Sequence, residues 1–138
     1  MSTRTTVKPP TTATAVDRFL DGIRDGRLPH DLYTEDAVLD ATVPGWRFRA
    51  EGSVAIQAEY QGWFFVPSTL VALERHAFDG GEAVRYLQRA EVDGTTYLVH
   101  HAHLLKVEQD RIVADTVFCG GRWGPEAVAQ MGAAAHAG

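Results

Sequence analysis

A chain of 138 residues with 45% hydrophobic and 22% charged side chains has the composition of one globular domain, long enough for one core and too short for two. Lys and Arg total 13 against 18 Asp and Glu, a formal charge of −5 with no basic cluster to offset it, so neither nucleic acid nor an anionic membrane is expected as a partner. The single cysteine, Cys119, allows no internal disulfide and no thiolate metal cage, no apolar run approaches the ~20 residues of a membrane span, and the start lacks the apolar stretch of a signal peptide, which makes the cytoplasm the expected location.

Residues 1–12 are rich in Thr and Pro and read as a flexible arm. Ala15, Val16, Phe19, Leu20 and Ile23 then recur at helical spacing, with Thr14 placed to cap them. Pro29 to Tyr33 predicts a second helical turn, Asp36 to Ala41 a short strand, and Trp46 to Arg49 its hairpin partner across Pro44-Gly45. A further helix opens at Glu51-Gly52-Ser53, with Ser53 as N-cap and Val54, Ile56, Ala58, Tyr60 and Trp63 on its buried face.

The second half reads as strands at Thr69–Phe78, Glu82–Val92, Thr95–Val107 and Arg111–Cys119, joined by short turn-prone connectors. Gly120-Gly121 is expected to end the sheet, Pro125 to Met131 to make a short helix or tail, and 132–138 to be a flexible tail. Helices followed by a long meander predict one α+β domain over 13–131. A curved antiparallel sheet would wrap the N-terminal helices and leave an interior apolar pocket.

The phrase Leu32-Tyr33-Thr34-Glu35-Asp36-Ala37-Val38-Leu39-Asp40, then a proline, a glycine and the helix Ala55 to Tyr60, resembles ketosteroid isomerases of the nuclear transport factor 2-like superfamily. So does the final hairpin, His103-Leu104-Leu105-Lys106 through Asp110-Arg111-Ile112-Val113, and the likeness runs from about Ala15 to Phe118. It implies the fold, a homodimer formed through the outer sheet face with Val99, Leu105 and Val107 supplying the surface, and no metal or organic cofactor. It does not imply steroid isomerisation, because Ala41 and Ala102 stand where the isomerases carry their two catalytic carboxyls, with Asp40 one residue early. SnoaL-type polyketide cyclases of the same superfamily use an aspartate on the last strand and a histidine on the one before. Limonene-type epoxide hydrolases use an Asp-Arg-Asp set that Asp40, Arg89 and Asp115 would imitate.

The candidate acid/base pair is therefore Asp115 with one of His100, His101 and His103. A four-residue turn, Val107 to Asp110, makes His100 the diagonal neighbour of Asp115, whereas a three-residue turn sets His103 against it. The resemblance favours the first, so His100 is expected beside Asp115. Such a pair can take a proton from the carbon next to a carbonyl and return one elsewhere. The expected function is cofactor-free cyclisation, isomerisation or dehydration of a small apolar carbonyl compound; epoxide opening and binding without chemistry are the alternatives. Alternation along a strand sends the histidines to opposite faces, so no metal is expected. The plainer reading pairs Asp115 structurally with Arg85 or Arg89. Asp40 is the next catalytic candidate, reached through a one-residue bulge. Trp46, Tyr60, Trp63 and Arg89 are the expected substrate contacts, within an aromatic concentration that includes Phe48, Phe64 and Phe65.

Overall fold

The structure, a computed structural model, describes residues 14–63 and 66–137; the N-terminal arm expected over 1–12, and Phe64 and Phe65, lie outside these. Helix α1 (Ala15–Asp25) starts where Thr14 and Asp17 close a capping box and stops at Gly26, whose φ of 73° is left-handed. Its apolar stripe, Val16, Phe19, Leu20 and Ile23, is buried. Asp110 ties the helix start to the sheet, accepting from the Ala15 N–H at 2.8 Å and from Arg18 at 2.9 Å.

Pro29 to Tyr33 is not helical, contrary to expectation. A turn covers these residues, and Leu32 and Tyr33 are drawn into sheet pairing, the Leu32 carbonyl accepting from the Ile112 N–H at 2.9 Å. Strand β1 (Tyr33–Val43) therefore starts earlier than its alternating core suggests, and β2 (Trp46–Glu51) pairs with it antiparallel. Helix α2 (Ser53–Gln61) is capped by Gly52, not Ser53, whose hydroxyl instead donates to the His30 carbonyl. Only Ile56 and Tyr60, four apart, face inward on α2; Val54 and Ala58 are exposed.

Strands β3 (Thr69–Phe78), β4 (Gly81–Val92), β5 (Thr95–Glu108) and β6 (Arg111–Trp123) form the expected antiparallel meander. The six-stranded sheet runs β2-β1-β6-β5-β4-β3, with β1 parallel to β6, so it is mixed and not wholly antiparallel. It is curved and unclosed, and α1 and α2 lie against its concave face. Gly120-Gly121 does not end β6; Val99 pairs with Arg122 and His101 with Cys119, so the glycines make a bulge, with Gly121 at φ 99°. Helix α3 (Pro125–Ala137) then continues past residue 131.

Candidate functional site

The turn between β5 and β6 decides which side chains meet. Glu108 pairs with Arg111, and Gln109 and Asp110 both take left-handed φ values, 49° and 60°. This is a two-residue hairpin loop, shorter than either turn read from the sequence. A register shift follows at once: Lys106 pairs with Ala114 but Val107 with Ile112, leaving Val113 as an extra residue on β6. Ile112 and Asp115, of opposite parity, thereby both face inward. Leu105 opposes Asp115 and His103 is its diagonal neighbour on the same face.

Asp115 is fully buried, and its carboxylate collects three partners. Oδ2 accepts from the Tyr33 hydroxyl at 2.9 Å and from the Tyr60 hydroxyl at 2.6 Å, while Oδ1 lies 2.8 Å from His103 Nδ1. The other face of that imidazole continues the chain: His103 Nε2 is 3.1 Å from the Tyr86 hydroxyl, which is 3.0 Å from His101 Nδ1. His101 Nε2 is buried with no partner among the described residues. Burial, with the negative charge of Asp115 added, holds the phenols of Tyr33, Tyr60 and Tyr86 well above their ordinary value, so all three stay protonated. Burial chiefly, and then the neighbouring His103 and His100, push His101 down to about 3, so its ring is neutral at ordinary pH.

The other residues singled out from the sequence lie elsewhere. His100 is on the outer face, its Nε2 3.0 Å from Arg85 Nη1, because the Val113 bulge reverses the parity that would have brought it to Asp115. Arg85 is also paired with Glu74, and neither it nor Arg89 reaches Asp115. Asp40 is on the far side of β1 from the buried Leu39 and Ala41, gripped at both oxygens by Arg47 at 2.9 and 2.6 Å, which holds its carboxyl below the usual range. Trp46 is 70% exposed, and Arg89 projects from β4 beside a groove under α3 lined by Leu87, Leu98 and Val128. The Asp40, Arg89, Asp115 set is therefore not assembled. Val99 and Leu105 are interior, not outer, residues, and Val107 is packed against the core. Tyr60 does converge on Asp115, as a hydrogen-bond donor and not at a cavity rim. Tyr33 and Tyr86 escaped the sequence reading; the available signal was parity, since Tyr86 falls in step with buried Val84, Gln88 and Ala90.

The space beside Asp115 is filled by rings: Phe19 stands 4.9 Å edge-on from His103, and Tyr33, Tyr60 and Tyr86 are buried around them. The cavity lies further along, at the end of α2. It has a volume of about 390 Å³ and is lined by Phe48, Trp63, Val99, Cys119 and Arg122, closed on one side by the β1–β2 turn. His101 does not line it but adjoins three residues that do. Its ring is 5.2 Å from that of Trp63, Cys119 is its cross-strand partner, and Val99 precedes it on the same face. Burial raises the Cys119 thiol, which accepts from the Gly121 N–H at 3.3 Å. No described helix is long and apolar enough to cross a membrane.

No protein-family model and no curated protein matches the chain. Solved structures do. An NTF2-like protein from Anabaena variabilis superposes with a TM-score of 0.65 at 15% identity, over 78% of this chain and 84% of that one. A protein of ketosteroid isomerase-like fold from Catenulispora acidiphila, in complex with trimethylamine, gives 0.60 at 14% identity over 80% and 88%. An LEH-like epoxide hydrolase from M. tuberculosis gives 0.56 at 14% identity over 76% and 79%. Identities this low speak for architecture alone, and the architecture is the cone of helices and curved sheet that these proteins share: the chain has the NTF2-like, ketosteroid isomerase-like fold.

Proposed function

We propose that the chain is a cofactor-independent acid/base enzyme acting on a small apolar carbonyl compound, with His101 as its catalytic residue. One observation carries the reading: a line of polar groups runs through the interior from Asp115 to His101 and ends on a buried nitrogen without a partner among the described residues, next to side chains that line a cavity. A buried unpartnered polar atom costs about 1–3 kcal/mol, which an apolar side chain at the same position would avoid.

The ligand's apolar body would rest on Phe48, Trp63 and Val99 and displace the Trp63 indole enough to meet Nε2. A neutral imidazole is a base in its reactive form. Nε2 takes the proton next to the carbonyl: the C–H bond breaks, an N–H bond forms, and the electron pair moves into an enolate. Arg122, which lines the same cavity with its guanidinium over the Tyr97 ring, would be the cation nearest to hand for an enolate oxygen held there. Return of the proton at another carbon isomerises the compound; attack of the enolate carbon on a second carbonyl of the same molecule forms the ring C–C bond as that carbonyl's π bond breaks, and the alkoxide so formed takes the proton back from Nε2.

A thermal-shift screen with polyketide-like, steroid-like and epoxide compounds identifies ligands, since binding to the native state raises the melting point. A carbonyl ligand found this way should take up deuterium from heavy water in the presence of the protein, and His101→Gln should slow that uptake ~10²–10⁴-fold while the ligand still raises the melting point. Uptake undiminished in His101→Gln overturns the assignment. A ligand that binds and is never altered by the unmodified protein leaves a binding protein of the same fold.

We further propose that the chain forms a homodimer through the outer sheet face around Leu104 and Phe118, which are 47% and 51% exposed.

A further inference from the structure

We propose that Asp115, His103 and Tyr86 are positioning residues that hold His101 in the tautomer with a bare Nε2 and carry away the proton that Nε2 accepts. The inference rests on the reading of His101 as the proton-accepting group.

With Asp115 ionised and His103 neutral, the direction of every hydrogen bond in the line follows from counting donors. An ionised carboxylate only accepts, and the two tyrosine hydroxyls already donate to Oδ2, so Nδ1 of His103 must supply the proton facing Oδ1. His103, taken as neutral, has one N–H, so that its Nε2 is bare and takes the hydroxyl proton of Tyr86; a charged His103 would donate from Nε2 and reverse the line. That phenol, its only proton committed, can interact with His101 Nδ1 solely as an acceptor, so Nδ1 carries the hydrogen. Nε2 of His101 is left with its lone pair, three residues away from the charge that dictated it.

The same line moves a proton without any group leaving its place. When Nε2 gains a proton, the Nδ1–H bond of His101 breaks as an O–H bond forms on Tyr86. The original Tyr86 O–H breaks as Nε2–H forms on His103, and the Nδ1–H of His103 breaks as O–H forms on Asp115. One proton enters at the cavity end, and the buried carboxylate becomes neutral at the other. His101, pushed down to about 3 by burial, is a poor place for a proton to stay, so passing it on extends what the ring can do as a base. Tyr86 stays protonated throughout, receiving one proton as it gives up another. Cys119, across from His101, is raised by burial and adds no charge.

Nitrogen NMR of the full chain labelled with 15N, at neutral pH and without any ligand, tests this. Expected for His101 is a bare, pyridine-type Nε2 and a protonated, pyrrole-type Nδ1. In Asp115→Asn the carboxamide oxygen accepts from the tyrosines and its NH₂ faces His103, so every bond in the line reverses and His101 swaps to Nε2–H. Adding Tyr86→Phe should cut the link, leaving His101 indifferent to the residue at 115. If Asp115→Asn does not fold, Tyr86→Phe alone must leave His103 in its tautomer while His101 loses its preference. An Nε2–H tautomer in the unmodified protein, or His101 signals unmoved by both substitutions, overturns the inference. Because no substrate is present, absence of turnover fails only the proposed reaction, and a wrong tautomer fails only the relay.

Discussion

A neutral imidazole in an apolar interior is stable only while it stays neutral, and this gives His101 a pH signature of its own. Its ionisation is pushed from 6.5 down to about 3 by burial, and by His103 and His100 after that. Between those values the unfolded chain binds a proton at this residue and the native one does not, so stability is fully present above pH 6.5 and falls as the pH drops. The slope is at most about 1.4 kcal/mol per pH unit. The lowered carboxyls, Asp17, Asp40, Glu74 and Asp110, also weaken the fold in acid, but only below about pH 5. Urea denaturation between about pH 5 and 6.5 should therefore show a slope in the unmodified protein that His101→Gln flattens; equal slopes would mean that His101 is charged in the native state. At this scale the sequence named residue types and was poor about partners. Asp115 and a histidine from the preceding strand stood out, but nothing local told which histidine. Tyr33, in a segment with a proline and no alternation, read as part of a helical turn, and its hydroxyl could not be connected with an aspartate 82 residues later.

Which histidine meets Asp115 is settled by β6 as an element, through one unpaired residue. Val113 lets Ile112 and Asp115 face the same way, and from there Val117 follows into the core. Strand positions and the meander order were legible because each strand carries its own residues and its own turn. The bulge was not, since it depends on how two strands align and leaves no local pattern. Both turn lengths read from the sequence assumed an unbroken ladder, and the bulge invalidates that assumption. The parallel β1–β6 pair was equally hidden, because residues this distant in the chain leave no local trace of their pairing. Deleting Val113 tests the role of the bulge directly. With the extra residue gone, an unbroken ladder from the hairpin keeps Ala114 opposite Lys106 and Asp115 opposite Leu105, so Asp115 and Val117 stay inward. The expected outcome is that cooperative unfolding in urea survives the deletion; its loss would show that Val113 is not simply the extra residue of this ladder.

The molecule's two sheet faces divide its labour. The concave face holds the polar line and the helices, while the convex face is left with large apolar groups in water: Leu104 is 47%, Phe118 51% and Phe78 38% exposed. Helices followed by a meander imply this layering from the sequence, although the residues expected on the outer face, Val99 and Leu105, are inside, one parity step from Leu98 and Leu104. Leu104 and Phe118 sit two positions apart across β5 and β6, since Phe118 pairs with Ala102 and Leu104 with Thr116. With Ala83 and Ala102 beside them they form a shallow apolar surface edged by Glu74, Arg85 and His76. An apolar centre with a charged edge is the anatomy of an interface, and a stable one needs about 800 Å² from each partner. A second copy fits because a two-fold contact asks of each chain only the surface it already has. Sedimentation of the unmodified chain should report a dimer at micromolar concentration. Leu104→Glu with Phe118→Glu should make it a monomer, while the melting point under dilute, monomeric conditions changes little, because neither side chain contributes to the buried core. A monomer in the unmodified protein at about 100-fold higher concentration, where association at 1.4 kcal/mol per decade would have gained close to 3 kcal/mol, would remove the dimer and leave the convex face unexplained.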